Sequence, residues 1–415
     1  MLRNDINKTI CMIAMASYPG DPRIRRQAEA LEKKGYKVDI ICRYSPSIKQ
    51  KSREKSGGIT VYKQKSREEF GGITAYRIMN APNQENRINY LIQSILFIIV
   101  AFMRLSLLSL KKKYSLIQVH NLPDYLIFVG ILHKLFGVKL ILDIHDPSVD
   151  LFEEKWPGKK NKLFKYIIKI SERYSCKLSD HIITVTSMCK EKLVERGNPA
   201  DKISLILNTA NESIFKFNMH RNFTKINEGV KILYYGTIAE RQGLHNAVKA
   251  MHHLIKDIPN STLDIYGIYE MSYRKKLESL NTELNLEKNV ILHGSIIREQ
   301  IPDIINEHDI GIVPHPCTEY LNLSLPTKAF EYVTSGLPVV STRIESLFKT
   351  LNDDCITYVE NGNPKDLSEA IKYLCLNPEV RKSRVDSAYK SMKEISGHVM
   401  NKRYVDLIDK MITPQ

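Results

Sequence analysis

Lys328 and Glu331 stand one helical turn apart in Ser324-Leu-Pro-Thr-Lys-Ala-Phe-Glu-Tyr-Val-Thr-Ser-Gly-Leu-Pro-Val-Val340. Leu325 and Pro326 close a loop, so Thr327 falls where a helix begins and its first backbone N–H groups lack partners. Such a terminus attracts phosphate, and Lys328 adds a full charge. Glu331 lies further along the same face, where a carboxylate can accept from both hydroxyls of a ribose. A buried ion pair between the two is the plain structural alternative. A second stretch, Tyr234-Tyr-Gly-Thr-Ile-Ala-Glu-Arg-Gln-Gly243, reads as a strand, a glycine-bounded loop and a helix start. Gly236 and Thr237 open that loop, and Arg241 is its only cation, placed to bridge diphosphate oxygens. Two more strands end on glycine, at Gly267 and just before Ser295 and Ile296. Each allows a ligand to approach the backbone at the C-terminal edge of a sheet, or is a simple strand-ending turn.

The N-terminal half offers a second group. Asp143, His145 and Asp146 follow the apolar run Leu140-Ile-Leu, and His120 ends the run before it. Strand tips are where α/β enzymes place working groups, and two histidines beside carboxylates suit proton transfer. The first loop, Ser17-Tyr-Pro-Gly-Asp-Pro-Arg23, carries Gly20 and leads to Arg23, Arg25 and Arg26 at a helix start. Those cations fit an anion, and equally a solvated helix face.

These groups need strands that end together. Short apolar runs alternate with longer amphipathic ones throughout, the pattern of α/β folds with parallel sheets. Strands are expected at 9–16, 37–42, 115–120, 139–143, 181–184 and 203–207. After a polar stretch at 208–229 they resume at 230–234, 263–266, 290–292, 310–314, 338–342 and 356–359. Helices should fill the chain beyond 364. Two Rossmann-like domains follow, at 1–210 and 230–395, with 211–229 as linker and 396–415 as a helix packing back on the first domain. Residues 51–64 and 65–78 form a tandem repeat, identical at nine of fourteen positions. Each copy reads as a charged turn, a Gly-Gly and a short strand. A surface loop or added edge hairpin is the simpler reading, and a basic flap over an acceptor the other.

The chain carries 61 Lys+Arg against 46 Asp+Glu over 415 residues, a net charge of +15. The excess lies in residues 1–220, which hold 37 of those cations and 21 of the acids. A one-sided cationic surface attracts anionic lipid, nucleic acid or a polyanion. The seven cysteines show no CxxC or Cys/His metal spacing, which fits reduced, buried thiols in a reducing compartment. The N-terminus lacks a signal-peptide pattern. Residues 88–103 are free of charge, but sixteen residues followed by Arg104 fall short of the ~20 that a spanning helix needs. A buried or surface-lying helix is expected there. No DxD and no GxxxxGK[ST] occurs, so a phosphate here must be met by Arg241, Lys328 and helix N-termini rather than a DxD-held metal or a P-loop.

In order and spacing the chain resembles the family 4 glycosyltransferases of the GT-B fold. The pieces are Pro-Gly-Asp-Pro-Arg-Ile-Arg-Arg26, Asp143-Ile-His-Asp, Asn208-Thr-Ala-Asn-Glu-Ser-Ile-Phe215, Gly236-Thr with Arg241-Gln-Gly, and Leu325-Pro-Thr-Lys-Ala-Phe-Glu-Tyr with Gly-Leu-Pro-Val-Val. The resemblance implies two facing Rossmann domains, with acceptor on the first and nucleotide sugar on the second. It implies metal-independent transfer with retention, and no cofactor beyond the donor. Carried over, His145 lies near the reacting centre, Arg241 and Lys328 stabilise the departing diphosphate, and Glu331 holds the ribose. Gly236, Thr237, Gly267, Ser295, Ile296, Asn322, Leu325, Pro326 and Thr327 line the donor, and Gly20, Arg23 and His120 the acceptor. The family often pairs two carboxylates eight apart, but here Leu323 replaces the first, leaving Asn322 for the sugar hydroxyls. Thr237 and Gln242 stand where basic residues are common.

The expected activity is therefore transfer from a UDP- or GDP-sugar to a lipid-linked or cell-surface glycan, by a cytoplasmic enzyme held on the anionic inner face of the plasma membrane. An epimerase of the same fold, or a basic nucleic-acid-binding protein, are the rival readings. No recognition motif supports the second rival, so nucleic acid is not expected as a partner.

Overall fold

The computed structural model describes residues 8–44, 53–56, 59–62, 65–80, 87–156, 158, 161–360 and 362–413. The chain divides into two compact units, Met1–Ile206 with Asn401–Gln415, and Leu207–Met400. In chain order the first carries β1 (Thr9–Ser17), α1 (Pro22–Glu32), β2 (Lys37–Arg43), β3 (Arg53–Ser56), β4 (Ile59–Tyr62), β5 (Arg67–Phe70), β6 (Ile73–Met79) and α2 (Arg87–Ser109). It continues with β7 (Leu116–His120), α3 (Ile131–Leu135), β8 (Lys139–Ile144), α4 (Ser148–Lys155), α5 (Lys162–Leu178), β9 (His181–Thr184), α6 (Ser187–Glu195) and β10 (Ile203–Leu205).

Its sheet has the order β10-β9-β8-β7-β1-β2-β6-β5. All neighbours are parallel except β5, which returns antiparallel to β6 at the edge. Continuous apolar runs suit central parallel strands, whose two faces are both covered. Ile10 to Ile13 of β1 are accordingly inaccessible. α1 starts as its sequence implies, with the Asp21 side chain accepting from the Arg23 N–H at 2.9 Å and Pro22 in the first turn.

The repeat folds twice in one way. β3 and β4 pair as Arg53↔Tyr62 through Ser56↔Ile59, and β5 and β6 as Arg67↔Tyr76 through Phe70↔Ile73. The second copy joins the main sheet through β2, with Ile73, Ala75 and Tyr76 buried, while the first forms a two-stranded sheet of its own. An added edge hairpin thus describes the second copy only in part, because β6 is also core.

The apolar segment corrects an expectation. Arg104 does not end it: α2 runs 23 residues, and Asn89–Ser109 is long and apolar enough to cross a membrane. The Arg104 guanidinium lies 4.5 Å from the centre of the Tyr76 ring, which accommodates the charge within the helix. One face of α2 nevertheless packs on the sheet, with Phe97, Ala101 and Leu105 inaccessible.

The second unit carries β11 (Lys231–Ile238), α7 (Leu244–Leu254), β12 (Thr262–Tyr269), α8 (Met271–Glu283), β13 (Val290–Leu292), α9 (Ile301–Asn306), β14 (Ile310–Val313), α10 (Glu319–Leu323), α11 (Thr327–Thr334) and β15 (Val339–Thr342). α12 (Glu345–Thr350), β16 (Thr357–Val359), α13 (Pro364–Leu376), α14 (Pro378–Glu394) and α15 (Gly397–Ile412) follow. The sheet is parallel throughout, in the order β13-β12-β11-β14-β15-β16. The stretch 208–229 is not a free tether. Phe215 is buried in the second unit's core, Arg221 donates to the Ile305 carbonyl at 3.1 Å, and the Ile226 N–H to that of Cys375 at 3.0 Å. From Asn401 onward α15 belongs to the first unit, where Tyr404 donates to Gln118 at 2.5 Å and Tyr36 to Asp409. All seven cysteines are free thiols, six of them buried and Cys317 half-buried.

Candidate active site

In the second unit, β11 and β12 run past the expected ends to Ile238 and Tyr269. They pair through Gly236↔Gly267, where a Cβ at Gly267 would run into the Gly236 carbonyl. Gly267 therefore serves strand-to-strand approach inside a continuing strand, not a strand end. Gly236 has φ 136°, and a Cβ there would sit 3.3 Å from the Lys328 ammonium. The missing side chain is what lets Lys328 lie over this strand. Its Nζ is 3.9 Å from the centre of the Tyr234 ring, a cation–π contact. Burial pushes Lys328 down to about 7, offset only in part by Glu331.

α11 starts at Thr327 after Pro326, and no side chain caps it. The Thr327 and Lys328 N–H groups remain open to an anion, while that of Ala329 donates to the Pro326 carbonyl at 3.0 Å. Glu331 accepts from Tyr235 Oη at 2.5 Å, and burial raises its carboxyl above the usual range. The simple Lys328–Glu331 ion pair is absent from the salt bridges among the described residues; each side chain has an aromatic partner instead. Arg241 sits exposed in a 3-10 turn, 3.8 Å from Glu270. Leu325 and Pro326 are half-buried ahead of the helix, and Thr237 and Ser295 are exposed. Ile296 packs against the core. Asn322 does not stand free for a sugar: its Oδ1 accepts from the Glu345 N–H at 3.2 Å and so caps α12. Leu323 is buried, as an apolar residue at that position should be.

Sequence reasoning passed over His315. It follows β14, is buried, and bonds through Nε2 to Gln242, whose Oε1 also accepts from Tyr234. Its Nδ1 is buried with no partner. Burial, then Lys328 and Arg241, push its imidazole well below the usual range. Its signal in the sequence was only a histidine at a strand tip among residues already singled out.

The first unit holds a cavity of ≈160 Å³ lined in part by Asp21, Arg23, Tyr90, His120, Asn121 and His145. β7 and β8 are in register at His120↔Asp143. His120 Nδ1 lies 3.3 Å from Asp143 Oδ2 and 3.4 Å from His145 Nε2, with the two rings parallel. Asp143 is wholly buried and accepts from Gln27 at 2.8 Å and Gln118 at 2.9 Å. Burial works against its charge, but His145, His120 and Gln27 more than offset that and hold the carboxyl well below the usual range. Burial pushes His145 down to about 4, opposed by Asp143 and aided by Arg23, so its imidazole is neutral at pH 7. Asn121 fixes the loop, its Oδ1 accepting from the His145 N–H at 2.9 Å.

His120, Asp143 and His145 are also close enough to share a cation. Asp143 Oδ2 already accepts two amides, while its Oδ1 is buried without a hydrogen-bond partner 3.4 Å from His145 Nε2. Arg23 is not a free anion receptor. Asp21 holds its guanidinium at 2.7 and 3.1 Å, and Asp146 lies 3.8 Å away. Gly20 is exposed, in the loop beside this cavity.

Residues 216–391 match the family model for glycosyl transferases of group 1, and residues 23–213 that for glycosyltransferase family 4. The chain belongs to the family 4, group 1 glycosyltransferases. Its two parallel-sheet units are those of the GT-B fold. A putative teichuronic acid biosynthesis glycosyltransferase of Bacillus subtilis is 26% identical over 60% of this chain and 61% of its own length. The matched region thus spans about three fifths of that relative. A chitobiosyldiphosphodolichol beta-mannosyltransferase of Candida glabrata is 23% identical over 92% of this chain and 86% of its own. Among solved structures, that of Anabaena Alr3699/HepE in complex with UDP and glucose superposes with a TM-score of 0.69 at 14% identity, covering 97% of this chain and 100% of that one. In this chain Lys328 lies beside Gly236 and near Glu331, with Tyr234, Gln242 and His315 around it, and His145 follows a strand tip in the first unit.

Proposed function

We propose that this glycosyltransferase takes a sugar from a UDP- or GDP-type donor bound by the second unit, and passes it to a lipid-linked or cell-surface glycan. The observation that carries the reading is the half-buried Lys328 ammonium beside Gly236 at the uncapped start of α11, with Glu331 one turn on. An anionic diphosphate at this spot supplies the charge that burial withholds from the lysine and a partner for the open N–H groups. Arg241, exposed and loosely paired, reaches the same diphosphate as it departs, and Glu331 takes the ribose hydroxyls. No metal is needed in this account, because developing negative charge meets two cations and a helix terminus. His145, neutral and fixed through Asn121, is the first unit's candidate for the group that handles the acceptor's proton. The sugar keeps its anomeric configuration.

A UDP complex of a similar fold supports a nucleotide donor, and the names of the two relatives support glycan and lipid-diphosphate acceptors. The place of action in this reading is the cytoplasmic face of the plasma membrane. The test begins with thermal-shift screening against UDP-, GDP- and ADP-sugars, followed by transfer assays with the sugar that stabilises. Arg241→Ala should lower kcat/KM by ~100-fold or more while leaving the melting temperature unchanged. Unchanged turnover would sink the donor-site assignment, and a β product from an α donor, seen by NMR, would sink retention.

A further inference from the structure

Most of the exposed large hydrophobic residues among those described lie in the first unit, on helices gathered around one segment. Of the twenty-five exposed large hydrophobic residues among those described, eighteen lie between Leu91 and Leu110, between Ile131 and Phe136, or between Leu163 and Tyr174. These are α2 and α3, each with the residue after it, and α5. All three pack around the buried 3-10 segment Asp124–Gly130. Ser109 of α2 meets His133 of α3 at 2.7 Å, and Lys134 of α3 donates to the Leu178 carbonyl of α5 at 2.6 Å. The exposed residues therefore lie on three helices gathered around one segment, with α3 bridging the other two.

α5 is built inside out. Its buried residues are Glu172, Ser175 and Cys176, with Glu172 accepting from Arg196 at 2.8 and 3.0 Å. Leu163, Ile167, Ile170 and Tyr174, spaced as one helical stripe, point to solvent, with Leu163 67% exposed. Lys162, Lys165, Lys169 and Arg173 form a second stripe alongside, again at helical spacing. An apolar stripe flanked by cations fits an interface that is greasy inside and negative at its surface. α2 supplies a longer apolar row, yet Phe97, Ala101 and Leu105 anchor its other face in the sheet core. To cross a bilayer it would have to leave that core.

We infer that α2, α3 and α5 form an in-plane docking face for an anionic lipid bilayer, with α2 lying on the membrane rather than spanning it. The inference deepens the membrane-side reading proposed above and rests on it for the acceptor's whereabouts. The face also has a link to the cavity: Tyr90 of α2 lines the wall that holds His120 and His145, and the exposed apolar row starts at the next residue, Leu91. An acceptor whose lipid stays in the bilayer beside α2 presents its head group to that cavity.

The test is sedimentation of the full chain with preformed vesicles of phosphatidylcholine alone or with three tenths phosphatidylglycerol. The chain should bind the anionic vesicles reversibly and release in high salt. Leu163→Ser with Ile167→Ser should weaken binding by ~10-fold or more, since both side chains lose apolar contact with lipid. Lys162→Gln with Lys169→Gln should weaken it by ~10-fold or more on anionic vesicles only. These four residues are exposed, and nucleotide-sugar binding by the variants reports that the fold is intact. Failure to sediment with anionic vesicles overturns the inference, as does equal sedimentation of the wild type and both variants. A concentration-dependent dimer that the serine variant abolishes, in place of vesicle binding, would assign the face to a second copy of the chain and also overturn it. Transfer to a soluble acceptor with no vesicle binding would sink the docking face and spare the enzyme. Vesicle binding without transfer would do the reverse.

Discussion

With Lys328 in the proposed donor site, donor binding should be a proton-uptake reaction. In the empty site its amine is pushed down to about 7, so half of the molecules hold it neutral at pH 7. A bound diphosphate favours the ammonium, and only the protonated form offers the charge. Apparent affinity then scales with the protonated fraction of the free enzyme. That fraction falls from ~0.5 at pH 7 to ~0.03 at pH 8.5, so donor affinity should weaken by ~16-fold over that span. Isothermal titration calorimetry with the stabilising nucleotide sugar, in two buffers of different ionisation enthalpy, measures both quantities. Uptake should rise from ~0.5 to ~1 proton per donor bound over the same span. Stability moves the other way. The unfolded lysine keeps its proton up to 10.5, so between 7 and 10.5 the unfolded chain binds more protons at this position than the folded one. This group's contribution to free-enzyme stability therefore rises with pH through that window while donor affinity falls. Lys328→Gln should remove the affinity slope, and His315→Ala should keep it, because His315 is already neutral above pH 7 in the empty site. An affinity that stays flat from pH 7 to 8.5, with no proton taken up, would refute the reasoning.

Glu331→Gln keeps shape but loses the charged acceptor, so donor KM should rise by ~10-fold with kcat little changed, as steady-state kinetics will show. His145→Ala should lower kcat by ~100-fold at unchanged donor KM. Because wild-type His145 titrates near 4, a pH–rate profile should show no limb between pH 5 and 8 that disappears in this variant. Arg196→Met strands Asp150 and Glu172, which it holds at 2.6 and 2.8 Å, and should cost ~3 kcal/mol in a urea melt. Tyr404→Phe removes the buried bond to Gln118 and should cost about 1 kcal/mol in the same measurement.

Much of this was legible because period and punctuation agreed. Asp21-Pro22 marks a helix start that the structure repeats atom for atom, and the apolar runs at 9–16 and 139–143 sit where buried parallel strands belong. The Pro-Thr-Lys start of α11 was legible for the same reason. What stayed hidden depends on contacts distant in sequence. Nothing near Gly267 says that its neighbour is Gly236, so a strand interior read as a strand end. Nothing near Asn322 announces that Glu345 will need a cap. Arg104 looked like a full stop because Tyr76, its partner, comes from another strand. His315 went unnoticed because its meaning lies in Gln242 and Lys328, not in its neighbours.

The twin hairpins carry a consequence for how this sheet can change over time. Both copies pair the same four repeat positions, although only the Arg–Tyr pair is identical in the two, so the fourteen-residue unit forms the same hairpin in both places. Only the second is soldered to β2; the first is a spare. Removing residues 51–64 should leave the melting temperature within ~2 °C, since the copy that supplies Ile73, Ala75 and Tyr76 to the core stays in place. The border of the enzyme is thus modular. It can be lengthened, trimmed or rewritten one cassette at a time, while the strands that carry the chemistry go on undisturbed.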